Sequence, residues 1–201
     1  MSVDDPVDAA PPAARAPADA RDRAALVALE RAGVPLDLLF FWGHTPRGGV
    51  VAGPWFLSQW WRSEFTVDGV RYGSAEQFMM AGKARLFRDD ETLALLLAAD
   101  DPREVKALGR RVRGFDEATW AAGRFDLVVR GNVAKFAADD TLRDYLLGTG
   151  DQVIVEASPE DRVWGIGLTA ADERAATPSR WRGENLLGFA LMEARARLRR
   201  A

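Results

Sequence analysis

Two periodicities alternate along this chain, and the helical one dominates. From Asp19 to Arg31 the pattern is helical (Ala24, Leu26, Val27, Leu29) and stops at Gly33-Val34-Pro35. Leu38-Leu39-Phe40-Phe41-Trp42 is a continuous apolar run ended by Gly43, which reads as a buried strand. A Gly- and Pro-rich loop follows from Thr45 to Pro54. Phe65-Thr66-Val67-Asp68-Gly69-Val70-Arg71-Tyr72 reads as a hairpin, because Asp-Gly suits the two positive-φ positions of a type I′ turn. Ser74 is placed to cap the next helix, with Gln77 at the capping-box position. The stretch from Asp90 to Leu147 is helix-rich: Asp101-Pro102 opens one helix, Phe115 to Phe136 carries a long apolar periodicity, and Thr141 to Leu147 a short one. Gln152-Val153-Ile154-Val155-Glu156 reads as a second buried strand, and Asn185 to Arg200 as a C-terminal helix with a broad apolar face. The expected fold class is α+β, predominantly α-helical with a few short strands, in a single compact domain.

Composition sharpens this picture at the ends of the chain. Residues 1–18 are Ala, Pro and Asp with almost no large apolar side chain, and are expected to be disordered. Residues 19–35 form a helical extension, and 36–201 one domain without an internal repeat or linker. A chain of 201 residues with 48% hydrophobic content and seven Trp can bury an ordinary core. No stretch approaches the ~18 uninterrupted apolar residues of a membrane span, and the N-terminus lacks the basic-then-apolar grammar of a signal peptide. A cytoplasmic location is the expectation.

Charge and the rare residues narrow the chemistry. There is no Cys, so disulfides, thiolate nucleophiles and thiolate metal sites are excluded together. With His44 the single histidine, a zinc or iron site would be nearly all carboxylate, so a metal-independent, cofactor-free protein is expected. The net charge of −3 does not favour a general nucleic-acid binder. Arginines cluster at Arg110, Arg111 and Arg113, and again at Arg195, Arg197, Arg199 and Arg200. The second set reads as solvated helix surface; the first could also take a phosphate.

One helix stands out. With Glu76 at 0° and about 100° per residue, Met79, Met80, Lys83, Ala84, Leu86 and Phe87 fall within roughly 80° of it, and Gln77, Arg85 and Arg88 lie opposite. Glu76 and Lys83 therefore share the apolar face, where an unpaired charge is costly. They form a buried ion pair, or they floor a polar pocket in which Lys83 could act as an amine nucleophile. A second constellation, Ser158 to Leu168, follows the second strand. Gly165 and Gly167 there would let backbone approach a ligand. Trp164 is a stacking surface or a core residue, and Asp161 a reactive carboxylate or a turn former. Asn185 reads as an N-cap or a ligand contact, and His44 as a loop-shaping or substrate-binding residue. Carboxylates, one buried lysine, tryptophans and arginines suit cleavage of an N-glycosidic bond, whose cationic transition state a carboxylate stabilises.

The chain resembles the NADAR superfamily, the YbiA-like N-glycosidases, from about Leu39 to its C-terminus. The carrying motifs are Phe41-Trp42-Gly43-His44, Leu57-Ser58-Gln59-Trp60, Ser74-Ala75-Glu76-Gln77, Lys83-Ala84-Arg85, Arg130-Gly131-Asn132, Asp161-Arg162-Val163-Trp164-Gly165-Ile166-Gly167 and Asn185-Leu186-Leu187-Gly188. The resemblance implies a compact, mostly helical fold and hydrolysis of N-glycosidic bonds in phosphoribosylated or ADP-ribosylated compounds. One branch acts on early riboflavin-synthesis intermediates and releases ribose 5-phosphate. Another is associated with removing ADP-ribose from guanine bases, which would add ADP-ribosylated nucleic acid to the partners. It implies that Glu76 is the essential glutamate, that Lys83 is the motif lysine, and that Asp161 and Trp164 precede the motif glycines. Where some members carry Asp after Trp-Gly, this chain has Ile166. The expected catalytic set is thus Glu76, Lys83 and Asp161. Trp42, Gly43, His44, Ser58, Trp164, Gly165 and Asn185 are expected around the substrate, with Arg85, Arg110 or Arg111 on phosphate. A module that binds ADP-ribose or NAD without turnover is the non-enzymatic alternative, and the oligomeric state is left open.

Overall fold

The computed structural model describes residues 16–46, 49 and 52–201. The expectation of disorder for 1–18 falls mostly outside these residues; within them, Pro17–Asp19 form a short 3-10 turn. Seven α-helices and four short strands make up the described residues: α1 Arg23–Arg31, β1 Leu38–Phe41, β2 Phe65–Val67, β3 Val70–Tyr72, α2 Ala75–Leu86, α3 Asp90–Ala98, α4 Pro102–Gly109, α5 Glu117–Ala137, α6 Asp140–Gly148, β4 Val153–Glu156 and α7 Leu186–Arg200. None of the described helices is long and apolar enough to cross a membrane.

Local signals set many boundaries. Side chains of Asp22, Ser74, Asp89, Asp101, Asp116 and Asp139 accept hydrogen bonds from the first turns of α1 to α6. Asp68 and Gly69 both have positive φ, 51° and 76°, and join β2 to β3 in the register Phe65↔Tyr72 and Val67↔Val70, as the Asp-Gly turn predicts. Helix α5 begins after Phe115, which stays outside it and exposed.

The other pair of strands positions the chemistry. β1 and β4 are parallel, in the register Leu38↔Val153 through Phe41↔Glu156. Their carboxyl ends therefore open side by side, so Trp42-Gly43-His44 and the segment after Glu156 leave the sheet at one place. That end of parallel strands is where α/β folds place ligands. Helix α7 packs on β4 and on α5, and α5 packs on α2, which in turn contacts α3 and α4.

Three expectations about polar residues are corrected. Asn185 does not cap α7 with its side chain: it sits in the left-handed region at φ 56°, accepts from Glu156 N–H through Oδ1 and donates from Nδ2 to Ile154 C=O. It thus satisfies the open edge of β4, where no third strand lies among the described residues. Arg195 is not solvated surface; it is 1% exposed and donates from Nη1 to Thr149 Oγ1 at the end of α6. Gln77 is buried rather than on an outer face, donating to the Leu96 and Ala99 carbonyls while its Oε1 accepts from Gly73 N–H. The α2 wheel misleads here because helices and the hairpin surround α2 on nearly all sides. Leu86, assigned to its apolar face, is exposed instead.

One buried lysine went unnoticed in the sequence. Lys135 on α5 is fully buried and donates from Nζ to the Phe56 carbonyl at 2.6 Å and the Ser58 carbonyl at 2.8 Å. Burial pushes its pKa down to about 7. It ties the short 3-10 helix Pro54–Leu57 to α5, next to the Gln59 Nε2 to Asn132 Oδ1 bond.

Candidate active site

A cavity of about 810 Å³ lies at the carboxyl ends of β1 and β4. Its walls include Trp42, Gly43 and His44 after β1; Ser58, Gln59 and Trp60 after the 3-10 helix; Glu76, Met79, Met80 and Lys83 on α2; Lys106 and Arg110 on and after α4; Glu117, Trp120 and Arg124 on α5; and Glu156 at the end of β4 with Ser158, Asp161 and Trp164 beyond it. Residues dispersed over more than a hundred positions of sequence meet at the ends of the two parallel strands.

Glu76 occupies the first turn of α2 and is 5% exposed. Its N–H donates to the Gln59 carbonyl, so the helix start is fixed against the loop that carries Trp60. Burial raises its pKa to about 7, against the pull of Lys106, hydrogen bonding from the Trp60 side chain and the charge of Arg110; Asp161 adds to the rise. The carboxyl is thus poised near neutrality, with a cation and an indole beside it.

Lys83 lines the same cavity, but among the described residues it forms no ion pair with Glu76. The two lie about 10.5 Å apart along the axis at the helical rise. Lys83 Nζ instead donates to the Gly109 carbonyl at 2.9 Å and stands 4.2 Å over the Phe115 ring. Burial lowers its pKa, and the charge of Glu117 opposes that. The cation that faces Glu76 is Lys106, which also lies 5.4 Å from the Trp60 ring centre.

Asp161 forms a turn and also borders the cavity. Its Oδ1 accepts from the N–H groups of Val163 and Trp164, shaping the turn, and the residue lines the cavity close enough to raise the pKa of Glu76 and Glu156. Trp42, 58% exposed, and half-buried Trp164 form aromatic walls, and the His44 ring packs 5.6 Å from that of Trp60. Ser58 lines the cavity, and its Oγ accepts from Trp60 N–H.

Several predicted contacts do not converge on the cavity. Gly165 is buried behind it: a Cβ there would stand 2.9 Å from the Glu156 carbonyl oxygen and 3.1 Å from that of Asp161. The glycine admits backbone to backbone rather than backbone to ligand. Asn185 reaches the site only through its hold on Glu156. Arg85 points away, 5.8 Å over the Tyr72 ring, and Arg111 is exposed outside the lining, so Arg110 alone of the three candidate arginines borders the cavity. Ile166 is fully buried.

The sequence reading missed Gln59, Trp60, Lys106 and, above all, Glu156. Glu156 ends β4, borders the cavity and has one carboxyl oxygen enclosed without a hydrogen-bond partner. Burial raises its pKa to about 8, reinforced by Asp161 and Glu76 and opposed by Lys106. An acidic residue closing an apolar run of three buried β-branched residues was the available signal. Among the described residues no group of three or more His, Asp or Glu side chains is arranged to hold a metal ion.

The NADAR domain model matches residues 40–199, a span holding every cavity-lining residue. The chain belongs to the NADAR family. Within this family it is 43% identical over 149 residues to N-glycosidase R617 of Acanthamoeba polyphaga mimivirus, covering 72% of this chain and 88% of that one. It is 34% identical over 104 residues to the riboflavin biosynthesis protein PYRR, chloroplastic, of Zea mays; the match covers half of this chain and 15% of that longer protein. The NMR structure of YbiA from E. coli has the same fold, with a TM-score of 0.65 at 23% identity over 83% of this chain and 88% of YbiA. NADAR relatives named N-glycosidases are hydrolases of N-glycosyl bonds. The expected α+β, mainly helical fold and family are therefore those observed.

Proposed function

We propose that this NADAR protein hydrolyses the N-glycosidic bond of a phosphoribosylated aminopyrimidine, an early intermediate of riboflavin synthesis, releasing ribose 5-phosphate. The observation that carries the reading is Glu76: a buried carboxyl with its pKa near neutrality, set among Trp60, Lys106 and Arg110 in a cavity large enough for a nucleotide-sized ligand. Its ionised form stabilises positive charge at C1 as the C–N bond lengthens and orients the incoming water. Trp42 and Trp164 hold the flat base, and Arg110 with Lys106 takes the phosphate. Asp161, on the same cavity, supports the same charge. In place of water, the Lys83 amine on the cavity side of α2 is the alternative nucleophile, capturing C1 as an imine-type adduct. The riboflavin association of the maize relative supports the choice of substrate.

The test is chromatography of purified protein with 2,5-diamino-6-(5-phosphoribosylamino)pyrimidinone, beside a Glu76→Gln control. Ribose 5-phosphate is expected from the wild type, with turnover at least ~100-fold lower in a folded Glu76→Gln protein. Wild-type turnover in that variant would rule out the role given to Glu76. Borohydride reduction during turnover, followed by peptide mapping, is expected to mark Lys83 if the amine acts covalently.

A second reading rests on a separate observation. A cleft of about 520 Å³, lined in part by Arg62 and Arg103, adjoins the main cavity across Trp60 and His44. It gives room and charge for the longer, diphosphate-bearing part of an ADP-ribosyl group, as on ADP-ribosylated guanine in nucleic acid. Release of unmodified DNA from such a substrate, with no reaction of the aminopyrimidine, would select this reading. Tight ADP-ribose binding with no product from either would make the protein a binding module.

A further inference from the structure

We infer that Glu156 is a second catalytic residue, the acid that hands a proton to the departing base. The inference rests on the N-glycosidase reading above. An amine or amide nitrogen leaves poorly as an anion, so cleavage of its bond to C1 needs a proton on the base as well as charge stabilisation on the sugar. Glu76 cannot serve both ends at once.

Glu156 is placed for the other end. The parallel register sets it opposite Phe41, at the last position of β4, so the side chain emerges where Trp42 and Trp164 form the walls assigned to the base. Its backbone is fixed from behind: Asn185 Oδ1 accepts from its N–H, and the N–H of Ile166 donates to its C=O. Its enclosed Oε2 has no hydrogen-bond partner. Buried polar atoms are ordinarily paired, and an orphan at a cavity wall is a group whose partner arrives with the ligand. Gln77 and Lys135, which do not line the cavity, are by contrast satisfied by the surrounding chain.

The charged groups that face Glu156 favour this division of labour. From α2 comes Glu76, from α4 Lys106, and from the loop after β4 Asp161. Two of the three are carboxyls, which hold the proton on Glu156, whereas Glu76 also feels Arg110 and the Trp60 side chain, which favour its ionised form. These surroundings bias the proton toward Glu156 and the charge toward Glu76.

The step balances as follows. The C1–N bond breaks with its electron pair on the base nitrogen, which takes the Glu156 proton. The oxocarbenium ion left at C1 faces ionised Glu76. Water adds its oxygen to C1 and gives a proton to Glu76, and exchange of one proton with solvent at each carboxyl resets the pair.

The experiment compares full-length wild type, Glu156→Gln and Glu76→Gln on two phosphoribosides. One is the aminopyrimidine above; the other is 4-nitrophenyl ribofuranoside 5-phosphate, whose phenolate departs without a proton. Glu156→Gln is expected to lose ~100-fold or more in kcat on the first and less than ~5-fold on the second, while Glu76→Gln loses heavily on both. Wild-type kcat on the aminopyrimidine should fall on an alkaline limb near pH 8 that is absent from wild type acting on the nitrophenyl substrate. Equal losses on both substrates, or none on the aminopyrimidine, would overturn the inference and leave the N-glycosidase reading standing. A wild type inert on both, and on ADP-ribosylated guanine, overturns the two together. If circular dichroism shows Glu156→Gln unfolded, Glu156→Asp replaces it, with the same dependence on leaving group required.

Discussion

Two desolvated ionisable groups, fully buried Lys135 and part-buried Glu156 with one enclosed carboxyl oxygen, show how differently a fold can treat buried charge. Lys135 gives two of its protons to the Phe56 and Ser58 carbonyls and is packed beside the Phe136 ring. Glu156 keeps an unpartnered oxygen at the cavity wall beside two other carboxyls. Desolvation shifts both toward neutrality, but only the second is left unsatisfied by the chain. A buried group that is hydrogen-bonded on all available sides is scaffold. Glu156, unpartnered at a cavity wall, is the group we assign to the reaction.

The largest effect that can break this contrast is an exchange of phenotypes. Glu76→Gln, on the reaction side, should cost at least ~100-fold in turnover and leave thermal stability at pH 8 equal or higher, because an amide pays no ionisation penalty. Lys135→Met should do the reverse. It orphans two buried carbonyls, so a loss of about 1–3 kcal/mol in chemical denaturation is expected, with turnover per folded molecule falling far less than in Glu76→Gln. A stable Lys135→Met protein that is catalytically dead would move Lys135 into the site.

Next in size is the pH dependence of stability, which should slope in opposite directions for the two groups. Glu76 binds its proton up to about pH 7 in the native state and about 4.5 when unfolded. Between those values the native state holds more protons, so stability falls as pH rises. Lys135 loses its proton near pH 7 in the native state and near 10.5 when unfolded, so there the native state holds fewer protons and stability rises with pH. Urea titrations from pH 4.5 to 10 should show the acid-side slope flattened in Glu76→Gln and the alkaline-side slope flattened in Lys135→Met. An unchanged slope in either variant would remove that group from the account.

The smallest effects separate three arginines. Arg110→Ala should raise KM about tenfold, the scale of one charge-assisted hydrogen bond to phosphate. Arg85→Ala and Arg111→Ala should stay within about twofold, since neither borders the cavity and exposed charges contribute little. A large KM effect at Arg111 would show that the rim closes on substrate.

By itself, the sequence determined what local physics controls. Caps such as Ser74 and Asp101, the Asp68-Gly69 turn and the two apolar strands are readable because their causes lie within a few residues of each other. The motif segments around Trp42, Glu76, Asp161 and Trp164 likewise announced the family and part of the cavity wall. Tertiary structure alone decided which charges face each other. A helical wheel placed Glu76 and Lys83 on one face, but the packing of α4 gave Lys106 to Glu76 and the Gly109 carbonyl to Lys83. It also turned Asn185 from a cap into the hydrogen-bonding edge of β4, and set Glu156 beside Glu76 by pairing two parallel strands far apart in the chain. Periodicity reports the direction of a side chain from its own axis; the partner it meets depends on loops and crossings that no local pattern encodes.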